Sequence, residues 1–466
     1  MTKQTGSFWE NLFQRILRSP ARAAVASFFL AILLGTLLLC LPFSSASGKW
    51  TSPLDALFTS TSAVCVTGLI VKDTPVYWSL FGQLVILGLI QAGGIGIMTV
   101  YALLASMIGS RLSMGFERMM GDMVESHPEE NIWDMVKFIC VLTLVAESIG
   151  AVCLYFSWHT APCFQEASAW KCIYFSIFHA ISAFCNAGFS VFSDSLQRFR
   201  GSVPVNVVIC ALVLLGGFGF LVVRDLRRYV RWRLFVRKGR RPQLSTHSKL
   251  VLTVSGVLLL IGFVGVFVME SATSLSDAPL KERILSAVFQ SVTPRTAGFN
   301  TMTMDYGVIA PSTAFLLMAL MFIGGSPGST AGGIKTTTVG VMIASILATL
   351  RGSDEAEVFH HSVRPETVHR VASVILLGIT ALVVGIFLLL ITEGASFLEV
   401  AFEATSAFGT VGLTLGLTDT LSEWGKLIIT VLMFVGRLGP VTIVLSAATV
   451  QGRISYHYPS GHIVVG

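Results

Sequence analysis

Twelve residues in four short stretches could do chemistry with their backbones alone. They are Val66-Thr67-Gly68 in 58-FTSTSAVCVTGL-69, Asn186-Ala187-Gly188 in 178-FHAISAFCNAGF-189, Thr296-Ala297-Gly298 in 289-FQSVTPRTAGF-299 and Thr410-Val411-Gly412 in 402-FEATSAFGTVGL-413. In each, a Phe opens a short amphipathic run, a hydroxyl residue follows, and a Gly comes nine or ten positions after the Phe. Glycine supplies backbone conformations that a side chain forbids. An extended stretch freed in this way can present carbonyl oxygens that replace the water around a cation. The residues three to one before each glycine are Cys-Val-Thr, Cys-Asn-Ala, Arg-Thr-Ala and Gly-Thr-Val, with no carboxylate among them. Carbonyl ligands without an acidic ring suit potassium better than a divalent ion. The competing reading of any one stretch is close packing of small residues between membrane helices, and four copies in phase weigh against it.

The elements that would position these stretches follow from length and spacing. Gly68, Gly188, Gly298 and Gly412 are 120, 110 and 114 residues apart, each interval close to a quarter of the 466-residue chain. With 53% hydrophobic residues, only 12% charged and a mean hydropathy of +0.75, the chain has more apolar side chain than a soluble domain buries. An apolar run precedes and follows each dip, near 23–42 and 76–108, 131–157 and 203–223, 249–270 and 311–350, 371–393 and 425–450. The expected fold is therefore an all-α polytopic membrane protein of four tandem helix, pore loop, helix repeats around a pseudo-fourfold pore. Its divisions are a segment 1–22, repeats at 23–110, 131–223, 249–350 and 366–452, a basic loop 224–248 and a tail 453–466.

Charge sets the expected orientation. Ten Lys/Arg lie between Arg224 and Lys249 against one acid, Asp225, the mark of a cytoplasmic loop. Arg15, Arg18 and Arg22 before the first apolar run favour a cytoplasmic N-terminus, with no cleavable signal peptide evident. Both termini are then cytoplasmic and all four dips enter from the outer face. The net charge of +6 comes with neither aromatic interleaving nor a recognisable nucleic-acid fold, so no nucleic acid is expected. Each dip reads as a half-helix and an extended return: Pro53 to Ala63 helical, with Asp55 near its positive end, then 64-VCVTG-68. A half-helix pointing inward turns its negative end toward the membrane centre, which favours a cation there. Irregular backbone at that depth must be buried in protein or line a water-filled cavity, and repeats of one orientation can converge on an axis along the membrane normal.

Other polar groups lie inside apolar runs. The span after the third dip is interrupted by 324-GGSPGSTAGGIKTTT-338, with Gly324, Gly325, Gly328, Gly332, Gly333 and Lys335, and it is the single broken span expected. Such a stretch should face the pore, with a packing kink as the alternative. Its "GGIKT" is no phosphate loop, because Ile334 separates glycine from lysine. Arg437 is mid-span in "FVGRLGP", either a functional charge or half of a structural pair. Glu147 is its one unassigned acid, or else it satisfies neighbouring helix groups. Most of the eight cysteines look like small core residues, while Cys163 and Cys172 share a loop and could pair. His360 and His361 lie in a mixed-charge loop where no metal is expected.

The four loops together with 293-TPRTAGFNT-301, 324-GGSPGSTAGGIKTTT-338, 433-MFVGRLGP-440 and 456-YHYPSGHIVVG-466 resemble the Trk/Ktr/HKT superfamily of potassium transporters, most closely the bacterial Ktr/Trk membrane subunit. The resemblance covers nearly the whole chain. It implies K+ as the transported ion, with Na+ a second candidate, a homodimer in the bacterial inner membrane, and gating by a cytosolic RCK-type ring that binds the nucleotide in place of this chain. It makes 324–338 an intramembrane gate and sets Arg437 just below the filter. A serine at the first filter position accompanies sodium transport in plant relatives, and here Gly68 stands there. The third loop departs by being one residue shorter and carrying Pro294 and Arg295. Whether transport is symport or channel-like stays open. The alternatives are a secondary transporter of Na+ or a small solute, which would bring binding groups on broken helices and usually inverted repeats, and an intramembrane enzyme, for which no nucleophile-and-base pair is present.

Overall fold

The structure is a computed structural model that describes residues 20–96, 132–159, 168–236 and 242–447. It is helical apart from a two-stranded hairpin, Glu357–Val358 with His361–Ser362, which carries the exposed His360 and His361. Among the described residues no cluster of His, Cys, Asp and Glu could hold a metal. The Cys163 of the possible disulfide lies outside the described residues.

Each quarter begins with a long apolar helix: α1 (Pro20–Cys40), α4 (Ile132–His159), α8 (Thr246–Glu270) and α12 (Pro365–Thr392). All four are long and apolar enough to cross a membrane. Their outward faces carry large exposed apolar side chains, such as Leu30, Leu37, Leu144, Leu260 and Phe387, which water would penalise and lipid does not. A short helix follows: α2 (Pro53–Val64), α5 (Ala169–Phe184), α9 (Leu280–Val292) and α13 (Phe397–Gly409). The repeated Phe58, Phe178, Phe289 and Phe402 are all buried, the most exposed at 3%, so the periodic aromatic is the anchor that ties each half-helix to the core. Proline at the first turn of α2 and a Ser396–Glu399 capping box on α13 fix where those helices start.

The second helices correct the expectation of continuous spans with a single interruption. They are α3 (Leu80–Ile95), α6 (Val203–Gly217), α10 (Pro311–Phe322) and α14 (Glu423–Leu438), and every one stops at a glycine-rich break. After α6 the chain bends by 108° into α7 (Phe220–Arg231), and after α14 by 91° into α15 (Pro440–Ala447). After α10 the chain makes an excursion before α11 (Thr336–Leu350). The cause is backbone geometry: Gly96, Gly219 and Gly439 have φ of 92°, 89° and 82°, a region closed to ordinary helix-forming residues. Residues 97–108 of the first expected span lie outside the described residues.

A candidate ion pathway where four loops converge

Behind each of the four short helices the chain turns back through a residue in the left-handed region. Val66, Asn186, Thr296 and Thr410 have φ of 57°, 59°, 71° and 51°, and two positions later Gly68, Gly188, Gly298 and Gly412 have φ of 91°, 70°, 76° and 90°. Three of the first set are β-branched, for which this region is an outlier held only by its surroundings. The surroundings are hydrogen bonds to the preceding helix turn. Thr67 N–H donates to Ser62 O, Ala187 N–H to Ser182 O and Val411 N–H to Ser406 O, all at 2.8 Å, while Ala297 N–H reaches Thr293 O at 2.9 Å. The hydroxyls finish the turn in two ways. Ser62 and Ser406 accept from Gly68 N–H and Gly412 N–H at 3.1 Å, whereas Ser182 and Thr293 donate to Phe189 O and Phe299 O at 2.7 and 2.5 Å.

The glycines form a closed ring. A methyl group on Gly68 would lie 2.5 Å from Ala187 O, on Gly188 3.0 Å from Ala297 O, and on Gly298 2.5 Å from Val411 O. On Gly412 it would overlap Thr67 O, which returns the ring to the first quarter. Eight of the twelve sequence-predicted filter residues therefore meet in the ring, the glycines and the residue before each, and Val66, Asn186, Thr296 and Thr410 are the left-handed residues that lead into it. No hydrogen bond among the described residues ends on any of their twelve carbonyl oxygens. Buried carbonyls are nearly always paired, so a converging set left without donors is suited to hold a cation in their place.

The break in the third quarter lies beneath this ring. Its ends run side by side as a parallel bridge, Ile323 with Ile334, and the excursion between them reaches across to two other quarters. Ser326 N–H donates to Gly217 O at 3.1 Å, Thr330 N–H to Gly216 O at 3.2 Å, and Phe220 N–H to Gly328 O at 2.8 Å. On the other side Gly333 N–H reaches Gly436 O at 3.3 Å. Gly332 packs against the Thr410 side chain so closely that a methyl group there would overlap it. Gly325 and Gly324 approach Gly217 O and the backbone of Gly332 and Gly333. Lys335 Nζ donates to Ala331 O at 2.8 Å, Arg295 Nη2 to Gly324 O at 3.4 Å, and Arg437 Nη1 to Thr330 O. Arg437 also donates to Gly93 O at 2.6 Å, so it ties the loop to two other quarters through carbonyls and forms no ion pair with an acid among the described residues. Glu147, the acid considered as its partner, instead accepts from Gln91.

The breaks form a motif that hydropathy does not reveal. Gly93-Gly94-Ile95-Gly96, Gly216-Gly217-Phe218-Gly219, 324-GGSPG-328 and Gly436-Arg437-Leu438-Gly439 occupy equivalent places. The first glycine of three of them lies directly on the last carbonyls of a short helix, Val64, Phe184 and Phe408. The last glycine turns the chain at positive φ. The available signal was a G-x-x-G, at Gly93–Gly96, Gly216–Gly219, Gly325–Gly328 and Gly436–Gly439, that recurs at close to the interval of the filter stretches. On the face where the short helices begin, Lys426 Nζ lies 2.7 Å and Lys72 Nζ 3.5 Å from Asp55. A cavity of about 490 Å³ beside them is lined by Lys72, Asp73, Ser193 and Asp419. Burial and the neighbouring Asp73 push the Asp419 carboxyl above its ordinary range, with Lys72 opposing.

Comparison with known proteins accords with this geometry. The family model described as TrkH, cation transport protein, matches residues 7–456. The chain is 39% identical over 451 residues to the Ktr system potassium uptake protein B of Bacillus subtilis, covering 96% of this chain and 97% of that one. It is 39% identical over 456 residues to the potassium/sodium uptake protein NtpJ of Enterococcus hirae, with the same coverage. Among solved structures, the potassium transporter TrkH from Vibrio parahaemolyticus is similar at a TM-score of 0.66 and 20% identity, over 90% of this chain and 84% of that one, a likeness that bears on the fold alone.

Proposed function

The chain belongs to the TrkH family of cation transport proteins, transporters rather than enzymes, and from that membership we propose that it carries K+ across the cytoplasmic membrane through the four-glycine ring. The observation that carries this reading is the set of carbonyl oxygens around the ring, on residues that are buried apart from the half-buried Gly188 and Gly412, with no hydrogen-bond donor among the described residues. No carboxylate belongs to the twelve residues, which favours a monovalent ion over a divalent one. Na+ is the second reading, because the Enterococcus hirae relative is a potassium/sodium uptake protein. Uptake of labelled rubidium into proteoliposomes containing the purified chain, competed by K+ and Na+, tests both. Competition by K+ at concentrations about tenfold lower than Na+, worth about 1.4 kcal/mol, is the expected result; equal competition would favour the second reading.

The loop Ile323–Lys335 acts in this reading as the gate. It is held across the pathway by backbone pairs and by Arg295, Lys335 and Arg437, and three positive charges below the ring oppose a cation leaving inward. A protomer assembles with a second copy, and the pair is regulated by a cytosolic ring that binds the nucleotide. Charge supports the orientation: α7 leaves the bundle with Arg227, Arg228 and Arg231 exposed, as a cytoplasmic surface would. That ring should shield 224–249, 351–370 and the tail after Gly452. Hydrogen exchange on the complex is expected to slow in these segments, and protection confined to 70–79 or 193–202 would invert the topology.

A further inference from the structure

Glu147 is a buried acid in the middle of α4, 7% exposed, and the pathway described above does not use it. A carboxyl group at that depth is costly and calls for a role. Both of its oxygens accept from one donor, Gln91 Nε2 of α3, at 3.0 and 3.2 Å. The Cys185 thiol points at the same pair, 3.7 Å from Gln91 Oε1 and 3.9 Å from Glu147 Oε1. No Lys or Arg forms an ion pair with Glu147 among the described residues.

The place of Cys185 gives this cluster its meaning. It caps α5 and immediately precedes Asn186, the left-handed residue that starts the second filter strand. Its side chain is fully buried and seated on Gly94, where a methyl group would lie 2.6 Å from Sγ and 2.8 Å from Cβ. The third quarter repeats the arrangement with other chemistry. Arg295 holds the same position, three before the glycine, and its Nη2 donates to Ser255 Oγ at 3.3 Å, again on the first long helix of its own quarter. The first and fourth quarters have Cys65 and Gly409 there, with no such brace among the described residues.

We propose that Glu147 is a positioning residue for ion selection: with Gln91 it holds the Cys185 thiol from behind and so fixes the second filter strand, Asn186–Gly188. This rests on the reading of the ring as the filter. The strand is otherwise tied by Asn186 N–H and Ala187 N–H to the helix turn behind them and by the Asn186 amide, 3.4 Å from Arg295 O and Thr296 Oγ1, and a small tilt would move its carbonyls relative to the other three strands. The Gly94 seat makes Cys185 stiff against α3, so the hydrogen-bonded pair and the glycine together define one position for the start of the strand.

The test is K+ against Na+ competition for rubidium uptake by the full chain in proteoliposomes, with inserted protein and thermal stability measured alongside. Glu147→Ala should lower the K+ preference by about three- to tenfold, the scale of one lost ordinary hydrogen bond. Glu147→Gln keeps the shape and stands in where the alanine variant does not insert; its preference should fall by about twofold. The exchange variant Gln91→Glu with Glu147→Gln again faces one amide with one carboxylate and should recover most of the wild-type preference. Lower stability with unchanged preference in either single variant would overturn the proposal and leave Glu147 as a packing residue. Gly68→Ser, measured in parallel, separates the two levels of argument. If it too leaves the preference unchanged, the filter reading itself fails; if it lowers the preference while the Glu147 variants do not, only this proposal fails.

Discussion

Removing Ser326 to Ala331 is expected to raise basal K+ flux by at least tenfold and to abolish most of the further effect of nucleotide on the complex, about 1–3 kcal/mol of coupling. The deleted residues contain the loop's ties to the second quarter: Ser326 N–H to Gly217 O, Thr330 N–H to Gly216 O and Gly328 O to Phe220 N–H. They also contain the Thr330 carbonyl that Arg437 holds and the Ala331 carbonyl that Lys335 holds. The ends need not move, because Ile323 and Ile334 already lie bridged side by side and Ile334 N–H donates to Phe322 O at 3.3 Å. The excision therefore shortens an excursion closed at its base, and α10 and α11 keep their places. Lys335→Ala removes the bond to Ala331 O and should shift flux in the same direction by about twofold. The measurement is potassium flux into proteoliposomes with and without the ring, normalised to inserted protein. A folded, dimeric shortened protein whose flux stays low and fully nucleotide-dependent would show that the gate lies elsewhere.

What was legible in the chain tracks what depends on local pattern. The four quarters, the long helices and the twelve ring residues followed from apolar runs and from a Phe and a Gly recurring at one interval, and the structure has both the buried Phe anchors and the positive-φ glycines. The breaks in the second helices did not follow from hydropathy, because Gly96, Gly219 and Gly439 are apolar by that measure and end a helix only through backbone geometry. The left-handed Val66, Thr296 and Thr410 were equally hidden, since β-branched residues avoid that region unless their surroundings impose it. Partners remote in sequence were out of reach altogether. Asp55 sits at the positive end of a half-helix, as the local pattern implies, yet its hydrogen bond comes from Lys426, 371 residues away. The sequence alone allows Arg437 an acid as its partner; the carbonyls of Thr330 and Gly93 hold it instead.

Gly68→Ser is expected to lower the preference for K+ over Na+ by about tenfold, or 1.4 kcal/mol, in protein that still inserts and folds. Two costs act together there. A side chain at φ of 91° is disfavoured by about 1–2 kcal/mol, and its first carbon would lie 2.5 Å from Ala187 O, inside contact distance of a ring carbonyl. The strand must move outward or turn, and either displaces carbonyls that have no other partner. The fold survives because the helix turn behind the strand is held independently, by Thr67 N–H to Ser62 O, and because α2 remains anchored by the buried Phe58. Packing also predicts a rank among alanine substitutions. Gly188, whose nearest ring carbonyl would be 3.0 Å from the new methyl group, should be the mildest. Gly298, at 2.5 Å from Val411 O, should be intermediate, and Gly412, where the methyl group would overlap Thr67 O, the most severe. Cation competition for uptake in a host lacking its own potassium transport, corrected for expression, reads all of these. Well-expressed variants that keep wild-type preference, or that rank in the reverse order, would mean that the ring carbonyls do not choose the ion.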